Sequence, residues 1–243
     1  MPSVLPTTDT KHAYVQSMFD GIAPRYDLLN DVMTGGMHRG WKALVVRLSG
    51  AQPGGRVLDA CTGTGDIALR LAKAVGPEGE VIGLDFSPRM LEVARRRPIG
   101  GHRITFVEGD LMALPYADDS FDALTVGYGL RNVTSIPGAL QEIKRVLRPG
   151  GKMVSLDLGK PTSPLWRKIF YAYFNNVVPI LGRWLTGAND AYSYLPESLA
   201  DFPAQEGLKR LMAEAGFTGV DCVSLMGGAA AVHVGAKPLG TES

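Results

Sequence analysis

An α/β fold is predicted, with a mostly parallel sheet closed at one edge by an antiparallel hairpin. Short apolar runs alternate with amphipathic helical patterns between residues 56 and 158. The first run leads into a glycine-rich turn, Cys61-Thr62-Gly63-Thr64-Gly65. The last two runs, Val220–Met226 and Ala230–Ala236, face each other across Gly227-Gly228. Alternation of strand and helix makes parallel neighbours through right-handed crossovers, and a two-glycine connection suits a hairpin. A glycine turn between a first strand and its helix makes the sheet Rossmann-like.

The elements follow in order. Residues 1–12 read as a frayed tail. Over 13–50, Met18, Phe19 and Ile22 share one helical face, as do Leu28, Leu29 and Val32, with breaks at Gly21, Pro24 and Gly35-Gly36. This is a helical cover. Strands are expected at Arg56–Ala60, Val81–Asp85, Ile104–Val107, Phe121–Gly127 and Lys152–Leu158, within a core spanning 54–160. Helices are expected at Ile67–Val75, Ser87–Arg97 and Ile136–Leu147. Ser87 suits an N-cap with Pro88 in the first helical position, and Arg148-Pro149-Gly150-Gly151 suits a stop. A helical insertion, 161–200, precedes a C-terminal helix and hairpin over 201–238. The whole reads as one domain.

Composition narrows the function. With 243 residues, 45% of them hydrophobic, the chain can bury a core without staples. Lys and Arg total 25 against 24 Asp and Glu, so bulk charge gives no ground for a nucleic-acid partner. The two cysteines, Cys61 and Cys222, lie far apart and fit neither a disulfide framework nor a metal motif, so no metal site is expected. That usage and a start, MPSVLPTTDTKHAY, without secretory character point to the cytoplasm. No apolar run reaches the roughly 18 residues of a spanning helix.

Candidate ligand-binding groups recur at the ends of successive strands. Gly63 and Gly65 let backbone approach a ligand, and the helix behind them offers free N–H groups. Asp85, ending the second strand, can bind both ribose hydroxyls, with Phe86 beside it. Asp110, with Leu111, follows the third strand and can accept from an adenine amino group; Gly127 ends the fourth. A dinucleotide and a sulfonium nucleoside compete for such a loop. The third position of a dinucleotide fingerprint is Ala68, a permitted variant. Carboxylates such as Asp59 and Asp66, however, are poor neighbours for a pyrophosphate and good ones for an ammonium. They favour S-adenosylmethionine, with S-adenosylhomocysteine as product. The bland alternative for Asp85 alone is a helix-capping carboxylate.

Several longer segments are more specific: Phe19–Asn30 (FDGIAPRYDLLN), His38–Lys42 (HRGWK), Gly129–Val133 (GLRNV), Arg145–Gly151 (RVLRPGG) and Tyr192–Ser198 (YSYLPES). Together they resemble the menaquinone and ubiquinone C-methyltransferases over nearly the whole chain, about Val15 to Lys237. The resemblance implies a class I methyltransferase fold and S-adenosylmethionine as donor, held by residues matching Thr64, Asp85, Asp110 and Leu111. Relatives often carry a serine where this chain has Gly127. The implied acceptor is a 2-polyprenyl-1,4-naphthoquinol, methylated on a ring carbon in the final step of menaquinone synthesis. A dual naphthoquinol and benzoquinol enzyme, a phylloquinone-type enzyme, a methyltransferase for another small molecule and a non-catalytic donor-binding scaffold remain alternatives.

A ring carbon becomes nucleophilic when its ring hydroxyl ionises, so groups that hold a phenolate are sought. Arg131 with Asn132 follows the fourth strand; the guanidinium is too basic to be a base but can hold the phenolate, or else pairs with Glu142. Tyr26 and Tyr128 can donate to the quinol or be packed aromatics. His38 and Asp157 are candidate bases, His38 alternatively a structural donor. The segment Pro164–Leu185 is apolar and aromatic with Arg167, Lys168 and Arg183. It suits a prenyl groove, peripheral contact with the inner face of the membrane, or a homodimer face.

Overall fold

The structure is a computed structural model that describes residues 8–186 and 198–240. The signature Tyr192–Glu197 and part of the insertion lie outside the described residues. Seven strands form one sheet: β1 (Arg56–Ala60), β2 (Glu80–Asp85), β3 (Arg103–Glu108), β4 (Phe121–Gly127), β5 (Leu147–Leu158), β6 (Thr218–Leu225) and β7 (Ala230–Ala236). Their spatial order is β3-β2-β1-β4-β5-β7-β6. The first five pair in parallel, and β7 lies antiparallel between β5 and β6. Among the described residues, the principal helices are α1 (Thr8–Ile22), α2 (Tyr26–Thr34), α3 (His38–Ser49), α4 (Asp66–Val75), α5 (Pro88–Arg95), α6 (Ile136–Val146), α7 (Pro164–Ala172), α8 (Val178–Thr186) and α9 (Ala204–Glu214).

Alternation along each strand decides the two cores. In β1, Val57 packs with Val45, Ala68 and Leu71 of α3 and α4, while its neighbour Leu58 packs with Leu140, Ile143 and Leu208 of α6 and α9. A strand buried on both faces is mainly apolar; in β1 Val57, Leu58 and Ala60 meet this, and the buried Asp59 is hydrogen-bonded by the Thr62 and Thr125 hydroxyls. A third cluster, with Ile22, Leu29, Phe170 and Phe174, joins the N-terminal helices to α7. Because β1 lies between β2 and β4, the chain reverses its direction of travel there. That reversal opens a crevice at the carboxyl ends of the strands, where ligands bind in such sheets.

Three boundaries differ from expectation. Residues Thr8 onward belong to α1 rather than to a frayed tail. Pro149-Gly150-Gly151 does not end the segment before a strand; it bulges within β5. Leu147 pairs with Phe121 and Lys152 already with Ala123, and Gly150 N–H donates to the Lys237 carbonyl. Within the insertion, the described residues 164–186 form one long helix interrupted by a π-turn at Tyr173–Val177, where Val178 N–H donates to the Tyr173 carbonyl. Pro179 follows directly; its ring cannot sit against an ordinary helical turn, and the wider turn relieves it.

Candidate active site

A cleft lies over the carboxyl ends of β1, β2, β3 and β4. Asp85 sits at its centre, almost fully buried. Its Oδ2 accepts from Gly63 N–H at 2.7 Å and its Oδ1 from Ser87 N–H at 2.9 Å. The carboxylate thereby ties the glycine loop to the second strand. Burial pushes its pKa up to about 6, and these backbone donors limit the rise. Ser87 caps α5 as expected, accepting from Met90 N–H. Asp110 is half exposed; its Oδ1 accepts from Met112 N–H at 2.9 Å. Phe86, Leu111 and Gly127 also line the cleft.

Helix α1 crosses the open side. His12, Val15 and Phe19 line the cleft from above. Gln16 Nε2 donates to the Phe86 carbonyl at 2.8 Å, and Ser87 Oγ donates to Asp20 at 2.6 Å. His12 Nε2 stands 3.6 Å from Asp110 Oδ2.

The loop residues have other duties. Asp59 is buried beneath the cleft and accepts from the Thr62 and Thr125 hydroxyls, both at 2.6 Å; burial raises its pKa to about 6. Asp66 pairs with Lys42 at 3.0 Å and Arg70 at 3.2 Å. Thr64 Oγ1 donates to Asp27 at 2.7 Å, and Thr64 does not line the cleft. The carboxylates that line the cleft are Asp85 and Asp110; Asp59 and Asp66 are not part of its lining. Gly65 serves the chain path: its φ is +80°, and a Cβ there would stand 2.9 Å from Phe106 Cζ. Gly65→Ala is expected to lower unfolding free energy by about 2–4 kcal/mol, from left-handed backbone strain and overpacking; a urea midpoint unchanged from wild type would refute this.

Beside the cleft lies a second cavity of about 470 Å³ between α1, α2, α7 and the start of α8. Its walls are mainly apolar, with Met33, Phe170, Phe174 and Val178 among them. Sequence reasoning marked the aromatic segment after Pro164 without resolving which side chains point inward. Phe19, Tyr26, Tyr128 and Asn132 belong to both linings, so they form the wall between the two spaces.

The polar groups gather at that wall. Tyr128 has φ +59°, rare for an aromatic residue. Its carbonyl accepts from Arg131 Nη1 at 2.9 Å and Asn132 Nδ2 at 3.1 Å, which holds the unusual turn. The Tyr128 hydroxyl and Asn132 Oδ1 are buried with no hydrogen-bond partner among the described residues. Burial pushes both Tyr128 and Tyr26 upward, opposed by the nearby Arg131 charge. Both stay phenols at neutral pH and are donors. Arg131 pairs with Asp157 at 2.6 Å, both side chains buried, rather than with Glu142, which pairs with Arg145 at 2.6 Å. Asp157 lines neither space. His38 is also outside both; its Nδ1 lies 2.9 Å from Thr34 Oγ1, and burial lowers its pKa.

The two ligands proposed for the loop can now be separated. The described residues lining the cleft include Asp85 and Asp110 but no lysine or arginine. A pyrophosphate would meet carboxylates without a counter-charge. A cationic sulfonium nucleoside fits: carboxylates for its hydroxyls and amine, and the apolar Phe86, Leu111 and Met112 for a purine.

Comparisons with known proteins agree. Solved structures share the fold at low identity. A SAM-dependent methyltransferase from Aquifex aeolicus has a TM-score of 0.59 at 19% identity, over 80% of this chain and 88% of that one. An arsenic(III) S-adenosylmethionine methyltransferase from Chlamydomonas reinhardtii has 0.51 at 24%, over 79% and 66%. Demethylmenaquinone methyltransferases from Staphylococcus aureus strains JH9 and Newman are 43% identical over 223 residues, 92% of either chain. The ubiE/COQ5 methyltransferase family matches residues 7–237. With the family covering nearly the whole chain and its fold and donor cleft in place, this protein belongs to the ubiE/COQ5 methyltransferases.

Proposed function

We propose that the protein methylates a ring carbon of a 2-polyprenyl-1,4-naphthoquinol, the step that completes menaquinone. One observation carries the choice of acceptor: a large apolar cavity shares a wall with the donor cleft, and the polar residues Tyr26, Tyr128 and Asn132 belong to the lining of both spaces. A prenylated ring has this division, a polar head on a long hydrocarbon tail. The relatives from Staphylococcus aureus are named for the same acceptor class.

S-adenosylmethionine, when bound, supplies an electrophilic methyl on a sulfonium centre. Asp85 would receive the ribose hydroxyls, and Asp110 and Leu111 the purine edge. The remaining work falls to the wall. The Tyr128 hydroxyl and the Asn132 amide oxygen complement a ring hydroxyl, one as donor and the other as acceptor. Arg131 also lines the apolar cavity, and its guanidinium favours the ionised ring oxygen that makes the ring carbon nucleophilic. Asp157 keeps that guanidinium in place. Tyr26 donates from the cleft side. The N-terminal cover (13–50) and the helical insertion (161–200) are read as parts of a single domain whose task is to keep water from the reacting groups.

The test is methyl transfer from labelled donor to purified acceptors. Reduced prenyl naphthoquinone is expected to be methylated and the oxidised quinone not, since only the quinol can ionise to a phenolate. Transfer to water-soluble acceptors alone, or donor binding without turnover on any quinol, would reject the proposal. A benzoquinol arm decides whether the activity is dual.

A further inference from the structure

Large apolar side chains exposed to solvent are unevenly distributed. Among the described residues they fall on α2 and the turn after it, on α7 and α8 with the π-turn between them, and at the Met226 turn; only Ile99 and Leu239 lie elsewhere. Leu165 is 70% exposed, Ile180 67% and Trp184 81%. These elements adjoin one another. Tyr173 Oη donates to the Met33 carbonyl at 2.9 Å, and Trp166 Nε1 to the Met226 carbonyl at 2.8 Å. The surface is also where the apolar cavity opens, because Val32, Met37 and Ile169 are both exposed and part of its lining.

Charge is equally one-sided. Residues 159–186 contain Lys160, Arg167, Lys168 and Arg183 and no aspartate or glutamate, in a chain of net charge +1. Arg167, Lys168 and Arg183 are exposed. Among the described residues, no helix is long and apolar enough to cross a membrane.

We infer that α7 and α8, with the exposed edge of α2, dock on the surface of an anionic phospholipid bilayer, so that the mouth of the apolar cavity opens against the lipid. Apolar and tryptophan side chains flanked by cations are what an interfacial helix needs, and anionic headgroups supply a counter-charge for those cations. A second copy of this chain fits less well. A twofold contact would set the same cations against each other, with no acid on the helix to offset them. The inference rests on the acceptor being a prenylated lipid: the tail then moves from bilayer to cavity without crossing water.

The experiment is flotation of the full chain with vesicles of phosphatidylcholine, with and without phosphatidylglycerol, for wild type and for Leu165→Ser/Ile180→Ser/Trp184→Ser. None of the three residues lines the cleft or the cavity. Wild type is expected to float with anionic vesicles and to release in high salt. The triple variant should bind them about tenfold more weakly, with donor affinity and activity on a detergent-dispersed short-chain naphthoquinol unchanged. Lys168→Glu/Arg183→Glu should lose the preference for anionic vesicles with the apolar face intact. Equal flotation of wild type and triple variant overturns the inference. So does a wild-type dimer in sedimentation that the triple variant dissolves, since the face would then belong to a second copy. Flotation needs no quinol, so a protein that floats as expected but methylates no naphthoquinol retains the docking face and loses the acceptor assignment instead.

Discussion

Asp85→Asn is expected to weaken S-adenosylmethionine binding by about a hundredfold or more. The native carboxylate already accepts from Gly63 and Ser87 N–H groups and retains lone pairs for two hydroxyls. Hydrogen bonds to a charged acceptor contribute about 1.5–3 kcal/mol each. The amide replaces one acceptor oxygen by a donor, which must face a backbone N–H or a ribose hydroxyl. Titration calorimetry with the donor measures the loss; a Kd within about threefold of wild type would refute the assignment. The pH dependence has a definite sign. Burial raises the free carboxyl to about 6, and hydroxyls bound to the ionised form would pull it down again. Donor binding therefore favours the deprotonated state. Affinity should be level above pH 7 and fall by about tenfold per unit once the pH drops below 6. The raised pKa of Asp59 comes chiefly from its own burial, so it should be the same in the Asn variant. The difference between the two pH profiles is therefore due to Asp85.

Removal of the Arg131 charge should have a comparable effect by two separable routes. Arg131→Met leaves Asp157, 2% exposed, with its partner cation gone. Breaking a buried pair from one side costs about 3–5 kcal/mol. Loss of the charge beside a developing phenolate would lower kcat by about 10²–10³-fold. Arg131→Met/Asp157→Leu separates the two, because it removes both charges. The double variant should regain most of the thermal stability and none of the kcat. Recovery of activity together with stability would mean that Arg131 only supports the fold.

Most of the sheet was legible because its strands are buried on both faces and bounded by turn residues. Phe121–Gly127 has the expected limits, since polar, turn-forming residues precede it and a glycine ends it. The bulge at Pro149-Gly150-Gly151 was not legible. Those residues signal a turn, and only pairing with β4 and Lys237 draws them into a strand. Among site residues, Asp85, Asp110 and the glycine loop follow from position at strand ends. The partners did not follow. Nothing local says that Arg131 meets Asp157 rather than Glu142, since the first pair forms only when β5 lies beside β4. For Asp59 and Asp66, a linear sequence does not reveal Thr125 and Lys42 as their partners. That Phe19 and particular side chains of α7 wall a cavity was not legible residue by residue, because apolar residues on a helix carry no mark distinguishing a cavity wall from a packed core.

The partition formed by Phe19, Tyr26, Tyr128 and Asn132 has a thermodynamic corollary. Two occupants that touch opposite sides of the same four side chains are energetically linked, and linkage is reciprocal: whatever factor the first changes in the affinity of the second, the second returns to the first. Alterations in this partition therefore act on a cooperativity constant, and a shift in one equilibrium cannot be ascribed to one occupant alone.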